Sequence, residues 1–205
     1  MSAIAKRAVD VAASATALVL VWPLLLAIAL LVKLTSSGPV LFRQQRIGRS
    51  FQPFWIYKFR TMASGADLKG LITWGGDRDP RVTRVGRWLR RTKLDELPQL
   101  VNVLKGEMSL VGPRPEVQKY VEMFHDDYRE ILQARPGITD YASLAYRHEA
   151  VLLAAAETPE ELYVSRILPE KIRLSRQYVQ SSSMLVDLGL LWRTVLSIVR
   201  PKERA

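Results

Sequence analysis

The sequence predicts an α-rich α/β protein: a proline-broken, re-entrant membrane helix in residues 1–35, then a body over 36–205 with a β-hairpin and interfacial amphipathic helices. Three observations predict it. Val11 to Val32 is an apolar run without a charged side chain. Val40–Ile47 and Phe54–Met62 read as two strands joined through Gly48, Arg49 and Ser50. Several later segments repeat apolar or basic residues at helical spacing. With 205 residues, 48% of them hydrophobic, the chain can bury one real core beside a membrane element, with little room for a second domain.

The apolar run would be about 33 Å long as a straight helix, enough to cross a hydrocarbon core of about 30 Å. It is too long for a signal peptide, and no small-residue cleavage site follows it. Pro23 sits at its centre and removes the hydrogen bond to the carbonyl of Val19. Charge bears on topology as well. Lys6 and Arg7 precede the run, and Lys33, Arg43, Arg46 and Arg49 follow it, so both flanks ask for the cytoplasm. A helix that dips to mid-depth, turns at Trp22-Pro23 and returns satisfies both; a kinked single span satisfies one.

Ser36-Ser37-Gly38-Pro39 reads as the turn into the hairpin. Lys58 lies in the second strand, within YKFRTM, where a cation can point towards bound phosphate or simply line a solvated face. Ala63–Pro80 is rich in Gly and Asp and reads as a loop. Arg81, Arg84, Arg87, Arg90 and Arg91 then recur at near-helical spacing. An arginine fork makes bidentate bonds to phosphate; a basic face resting on anionic lipid is the other reading of this run.

KLDELPQLVNVLKGEMSLVGPRPE, Lys93 to Glu116, is the most informative stretch. Leu97, Leu100, Val101 and Leu104 recur at helical spacing, and Pro98 suits only a first turn, so Asp95 and Glu96 are expected at or beside a helix N-terminus. Such a position favours an ionised carboxylate and can also hold a phosphate. The pair therefore reads either as dipole-complementing acids or as a nucleophile with its partner. Arg114, between Pro113 and Pro115, loses little further freedom on binding and suits a fixed anion contact.

Arg135-Pro136-Gly137 marks a turn, and Ala150–Glu161 a short helix broken at Pro159. Leu185, Leu188, Trp192, Val195 and Val199 form an apolar stripe that suits an interfacial helix or a core helix. The absence of cysteine excludes disulfides, thiolate zinc sites and cysteine nucleophiles, and two histidines cannot build a multi-histidine metal site. Any metal would be a hard ion held by carboxylate and phosphate oxygens, Mg²⁺ being the natural candidate. The formal charge of +10 calls for an anionic partner: nucleic acid, an anionic membrane surface or a polyanionic substrate.

From the apolar segment through YKFRTM, KLDELPQLVNVLKGEMSLVGPRP and ARPGIT, the chain resembles the bacterial sugar transferases, small monotopic phosphoglycosyl transferases that start glycan assembly on a polyprenyl phosphate carrier. The resemblance implies a re-entrant helix, an α/β body on the cytoplasmic side of the bacterial inner membrane, and interfacial helices. It implies transfer of a sugar 1-phosphate from a UDP-sugar to polyprenyl (undecaprenyl) phosphate with release of UMP. Asp95 then matches the nucleophile that forms an aspartyl phosphosugar, Glu96 its partner, and Lys58, Arg90 and Arg114 the phosphate-side cations. Mg²⁺ is expected at Asp95 and Glu96, anionic lipids are expected partners, and nucleic acid is not. Two positions depart from the family pattern. Trp22-Pro23 replaces a frequent Ser-Pro, and Ser175 stands where many members carry aspartate. Thr139–Ala150 also differs from better-known members, and sugar specificity can lie there. A membrane-anchored basic binding protein and a nucleotide-sugar hydrolase are the competing readings; the first leaves the Asp-Glu pair and the GPRP segment unexplained.

Overall fold

The computed structural model describes residues 3–63, 65 and 79–199. Helix α1, Ala3–Thr35, is one 33-residue element, about 50 Å if straight. Trp22 and Pro23 lie inside it, so the position of the expected turn falls within one helical element rather than in a gap between two. The proline removes one backbone bond, and the Ala- and Leu-rich turns on either side carry the helix past it. Among the described residues α1 is the helix long and apolar enough to cross a membrane.

Both ends of α1 are tied to the body. Near the start, Arg7 donates to the carbonyls of Val103 (2.6 Å) and Leu104 (2.9 Å), and Lys6 pairs with Asp187. Asp10, buried, accepts from Ser109 Oγ (2.7 Å) and the backbone N–H of Leu110 (3.1 Å). Near the end, Ile28 and Val32 are buried against Phe59 and Leu89. Arg60 there donates to the backbone carbonyl and hydroxyl of Ser36, both at 2.7 Å, and to the carbonyl of Pro39. Between these anchors Val19, Leu20, Trp22 and Leu26 are exposed.

The expected hairpin is present, trimmed at its edges to β1, Leu41–Ile47, and β2, Pro53–Phe59, antiparallel with Leu41 opposite Phe59 and Ile47 opposite Pro53. Arg60 leaves the strand to reach α1, and Met62 bridges to Val82 instead of extending β2. Of the loop expected over 63–80, residues 64 and 66–78 lie outside the described residues. Helix α2, Arg84–Thr92, carries the arginine run; Thr83 caps it by accepting from the N–H of Gly86 at 2.9 Å. It ends at Lys93, whose φ of 59° reverses the chain.

A 3-10 turn, Leu94–Glu96, leads into α3, Gln99–Lys105. Pro98 therefore precedes α3, and the acidic pair sits in the 3-10 turn just ahead of it, beside the helix start as expected. On α3 Gln99, Leu100, Asn102 and Val103 are buried, while Val101 is exposed. Phe54, Ile56, Val103 and Met108 form the core between hairpin and α3, each such side chain contributing about 1.5–3 kcal/mol.

Strand β3, Ser109–Val111, pairs in parallel with β4, Gly137–Thr139, in the order Ser109 opposite Gly137 and Val111 opposite Thr139. Between them lie α4, Gln118–Met123, and α5, His125–Ile131. Helices α6, Tyr141–Ala145, α7, Glu149–Ala154, and α8, Pro159–Leu162, follow; Pro159 starts α8, as a proline at a first helical position should. A π-helical stretch, Tyr163–Ile167, opens into α9, Leu168–Ser181. The second core, including Ile47, Tyr120, Tyr128, Ile131 and Ile172, lies among β1, α4, α5 and α9. In α10, Met184–Val199, Leu190 is buried while Leu185, Leu188, Trp192 and Val195 of the predicted stripe are exposed; the side chain of Val199 lies outside the described residues.

Candidate active site

The site is assembled from a strand, a helix, a 3-10 turn and a loop between prolines. β2 delivers Lys58, and the chain just past it delivers Thr61, against which α2 packs closely. Gly86 permits that approach: a Cβ there would lie 2.0 Å from the carbonyl oxygen of Thr61. Arg90, one helical turn on, donates from Nε to Thr61 Oγ1 at 2.8 Å. The 3-10 turn delivers Asp95 and Glu96, and Arg114 arrives from the segment after β3.

Lys58, Glu96 and Arg114 meet. Lys58 Nζ lies 2.9 Å from Glu96 Oε1, and Arg114 grips the same carboxylate with both terminal nitrogens, Nη1 at 3.2 Å from Oε2 and Nη2 on Oε1. Burial by itself would raise the Glu96 pKa, but Arg114 and then Lys58 outweigh it and hold the group well below the usual carboxylate range. Lys58 is in turn shifted down, first by burial and then by the Arg114 charge, with Glu96 opposing. Arg114 is shifted up, first by the Glu96 charge.

Asp95 is placed differently. It is 7% exposed, and its Oδ1 is sealed without a hydrogen-bond partner among the described residues. Burial and then the neighbouring Glu96 charge raise its pKa, with Lys58, Lys93 and Arg90 opposing. That direction is the reverse of what a helix start predicts, because loss of water outweighs the dipole of a short turn. The adjacent carboxylates thus separate into a saturated anion and an unpartnered one, the pattern by which neighbouring acids take different roles.

The Arg114 loop is held on both sides. On one side the N–H of Gly112 donates to Thr139 O at 3.0 Å, and the N–H of Gly137 to Pro113 O at 2.9 Å. A Cβ on Gly137 would stand 2.1 Å from the Gly112 nitrogen, so this crossing requires glycine. On the other side buried Glu116 accepts from Arg46 Nη1 (2.8 Å), Tyr163 Oη (2.6 Å) and its neighbour's N–H at Val117 (2.8 Å). Lys171 extends this network, lying 3.2 Å from Tyr163 Oη and 2.9 Å from Glu149.

Of the predicted residues, Lys58, Asp95, Glu96 and Arg114 come together, and Arg90 bears on Asp95 through its charge while its Nε is held by Thr61. Trp22 and Pro23 belong to the exposed middle of α1. Ser175 stands apart from the pair; its hydroxyl donates to Asp140 Oδ2 at 3.3 Å, and Asp140 caps α6 by accepting from the N–H of Ser143 at 2.7 Å. Sequence reasoning missed Glu116, Gln99 and Asn102. The available signal was polar residues at three-residue spacing within an apolar run, and an acid next to the proline-flanked arginine.

Among the described residues no three acidic or histidine side chains cluster as a closed metal site. Two carboxylates suit a hard ion that takes its other oxygens from a ligand. Glu96 Oε2 accepts one bond, from Arg114.

A family model described as bacterial sugar transferase matches residues 1–201. The chain is 39% identical over 199 residues to a UDP-N-acetylgalactosamine-undecaprenyl-phosphate N-acetylgalactosaminephosphotransferase of Aeromonas hydrophila, covering 95% of this chain and 43% of that protein. It is 42% identical over 197 residues to a UDP-glucose:undecaprenyl-phosphate glucose-1-phosphate transferase of Caulobacter vibrioides, covering 95% and 69%. A protein of the same description from Escherichia coli (strain K12) is 37% identical over 198 residues, covering 93% and 39%. The chain thus spans less than half the length of the Aeromonas and Escherichia relatives.

Proposed function

The chain belongs to the bacterial sugar transferase family, and on that premise we propose that it is a membrane phosphoglycosyl transferase acting through Asp95. The substrates are a UDP-sugar and undecaprenyl phosphate; the products are UMP and an undecaprenyl-diphosphate sugar. In the first step an Asp95 oxygen attacks the phosphorus bearing the sugar, forming a carboxylate–phosphorus bond as the bond to the bridging oxygen breaks and UMP leaves with that oxygen. In the second, an oxygen of undecaprenyl phosphate attacks the same phosphorus, and the Asp95 carboxylate is released. Two polyanions thus occupy the site in turn rather than together.

The observation that carries this reading is the unequal pairing of the two acids: Glu96 is gripped by Lys58 and Arg114, whereas Asp95 Oδ1 is unpartnered. Glu96 positions the two cations at the place where diphosphate charge develops. Arg90, beside Asp95, extends that positive field. Mg²⁺ bound through Asp95 and Glu96 would neutralise diphosphate charge as the leaving group departs.

The membrane arrangement follows the same reading. Lys6, Arg7 and Asp10 fix one end of α1 to the body, while Val32 and Arg60 fix the other. The exposed apolar middle, between two ends tied to the same body, supports a helix that bends at Pro23, dips into one leaflet and returns. The outward stripe of α10 rests on the same cytoplasmic leaflet, where anionic lipids meet the basic chain. Because the chain has no cysteine, Ile4→Cys and Leu34→Cys report the two exposed ends of α1 without background. Both are expected to resist impermeant maleimide added outside intact cells; labelling of one alone makes α1 a full crossing.

The activity is tested by UMP release from the full chain in detergent with Mg²⁺, undecaprenyl phosphate and a panel of UDP-sugars. Release with one or a few donors, dependent on the lipid, is expected. Release without lipid over many turnovers makes the protein a hydrolase, and release from no donor rejects the proposal.

A further inference from the structure

Gln99 is fully buried, 0% exposed, and neither its Oε1 nor its Nε2 has a hydrogen-bond partner among the described residues. A buried primary amide carries two donor hydrogens and two acceptor sites, and leaving them unmet costs roughly 1–3 kcal/mol per group. This fold satisfies such a group next door. Asn102, one turn further along α3 and equally buried, accepts from the N–H of Tyr57 (3.1 Å) and donates to Trp55 O and Glu107 Oε2 (both 2.7 Å). Its amide is what seams α3 to β2. Gln99 makes no such seam, so its amide is not explained by holding the fold together.

Position supplies the explanation. Leu97 and Pro98 have right-handed helical backbone, so the chain from the 3-10 turn through α3 winds continuously. Glu96, Gln99 and Asn102 follow one another at three-residue spacing, and Glu96 and Asn102 both meet β2, through Lys58 and through Trp55 and Tyr57. Gln99 lies between them on that stripe and four residues after Asp95, within one turn of the acidic pair. Both Glu96 oxygens already accept from Arg114 or Lys58. Asp95 Oδ1 accepts from nothing. An unpartnered donor and an unpartnered acceptor, both sealed from water, therefore stand one turn apart.

We propose that Gln99 is a positioning residue for Asp95: with substrate bound, its Nε2–H donates to Asp95 Oδ1 and leaves the other carboxylate oxygen aimed at phosphorus. Bonds of this kind are commonly loose in a free enzyme and close in its substrate complex. The proposal rests on the transferase reading above, and the experiment separates the two. Gln99→Met keeps the unbranched shape and removes both polar atoms; Gln99→Glu keeps the shape and an acceptor but replaces the donor. Each is compared with the unaltered full chain in UMP release and in apparent Tm in the same detergent.

Gln99→Met is expected to lower kcat by about 10- to 100-fold, the range found when a supporting hydrogen bond behind a reacting ligand is lost. KM for the UDP-sugar should stay within about twofold and Tm should be unchanged or higher, because a buried unmet amide has been replaced by an apolar group. Gln99→Glu should lose at least as much kcat. Full activity in either variant overturns the proposal, as does a loss of activity in Gln99→Met that tracks a fall in Tm. If the unaltered chain releases UMP from no donor, the transferase reading has failed, and the role assigned to Gln99 falls with it.

Discussion

Asp95→Asn will give a folded, membrane-associated protein that releases no UMP, with kcat reduced at least about 10³-fold, as expected when a covalent nucleophile is removed. Its stability should not fall. Burial raises the Asp95 pKa, so the folded state favours the protonated carboxyl: the stability it contributes is present at low pH and lost as pH rises through the folded pKa. The asparagine amide, uncharged at every pH, escapes that loss. Apparent Tm at neutral pH should therefore equal or exceed that of the unaltered protein. On the proposed mechanism the same shift sets the acid side of the pH–rate profile: a nucleophilic Asp95 must be ionised, so activity should decline on acidification at a pH above the ordinary aspartate range. Retention of UMP release by Asp95→Asn at more than a tenth of the original rate would remove Asp95 from the mechanism.

Glu116→Leu should be the most damaging change to stability. Glu116 is a buried carboxylate tied to Arg46, Tyr163 and the N–H of Val117. Its removal leaves the Arg46 guanidinium with Gln44 and a carbonyl at Pro115. Breaking a buried ion pair from one side costs about 3–5 kcal/mol, and at roughly 2–4 °C per kcal/mol for a chain of this size apparent Tm should drop by about 10 °C. Burial alone would raise the Glu116 pKa, but Arg46, Lys171 and the two hydrogen bonds bring it below its usual value. Its stabilisation is therefore present above the ordinary glutamate range and lost as pH falls through the folded pKa. Glu116→Leu should accordingly lose less Tm than the unaltered protein between neutral pH and pH 4. Activity should fall with it, since Glu116 anchors the Pro115 side of the Arg114 loop. A change of less than 2 °C would show that Arg46 and Tyr163 find other partners.

What the sequence disclosed depended on local order. The hairpin was legible because its two runs flank a turn, the arginine helix because its residues recur at one spacing, and the acidic pair and GPRP because each is contiguous. β3 and β4 were not legible, since three-residue strands paired in parallel leave no period to read. The Lys58–Glu96–Arg114 cluster was named through the family resemblance, and its spacing alone does not disclose it. Its members lie 38 and 18 residues from Glu96, and only the packing of β2 and the proline-flanked loop brings them together. The sign of the Asp95 shift was misread for the same reason: a sequence places an acid near a helix start but does not reveal how little water reaches it.

The two ends of α1 also decide how far this molecule can be taken apart. Ile28 and Val32 complete a cluster with Phe59 and Leu89, while Asp10 supplies the partners of Ser109 Oγ and the Leu110 N–H on the strand that leads to Arg114. The helix is thus a shared part, half anchor and half foundation stone. A truncation starting after Thr35 would strip the hairpin of an apolar neighbour and leave Arg60 without the Val32 carbonyl while β3 loses a carboxylate. That cut is therefore expected to yield no folded soluble fragment, which the size-exclusion profile of residues 36–205 checks.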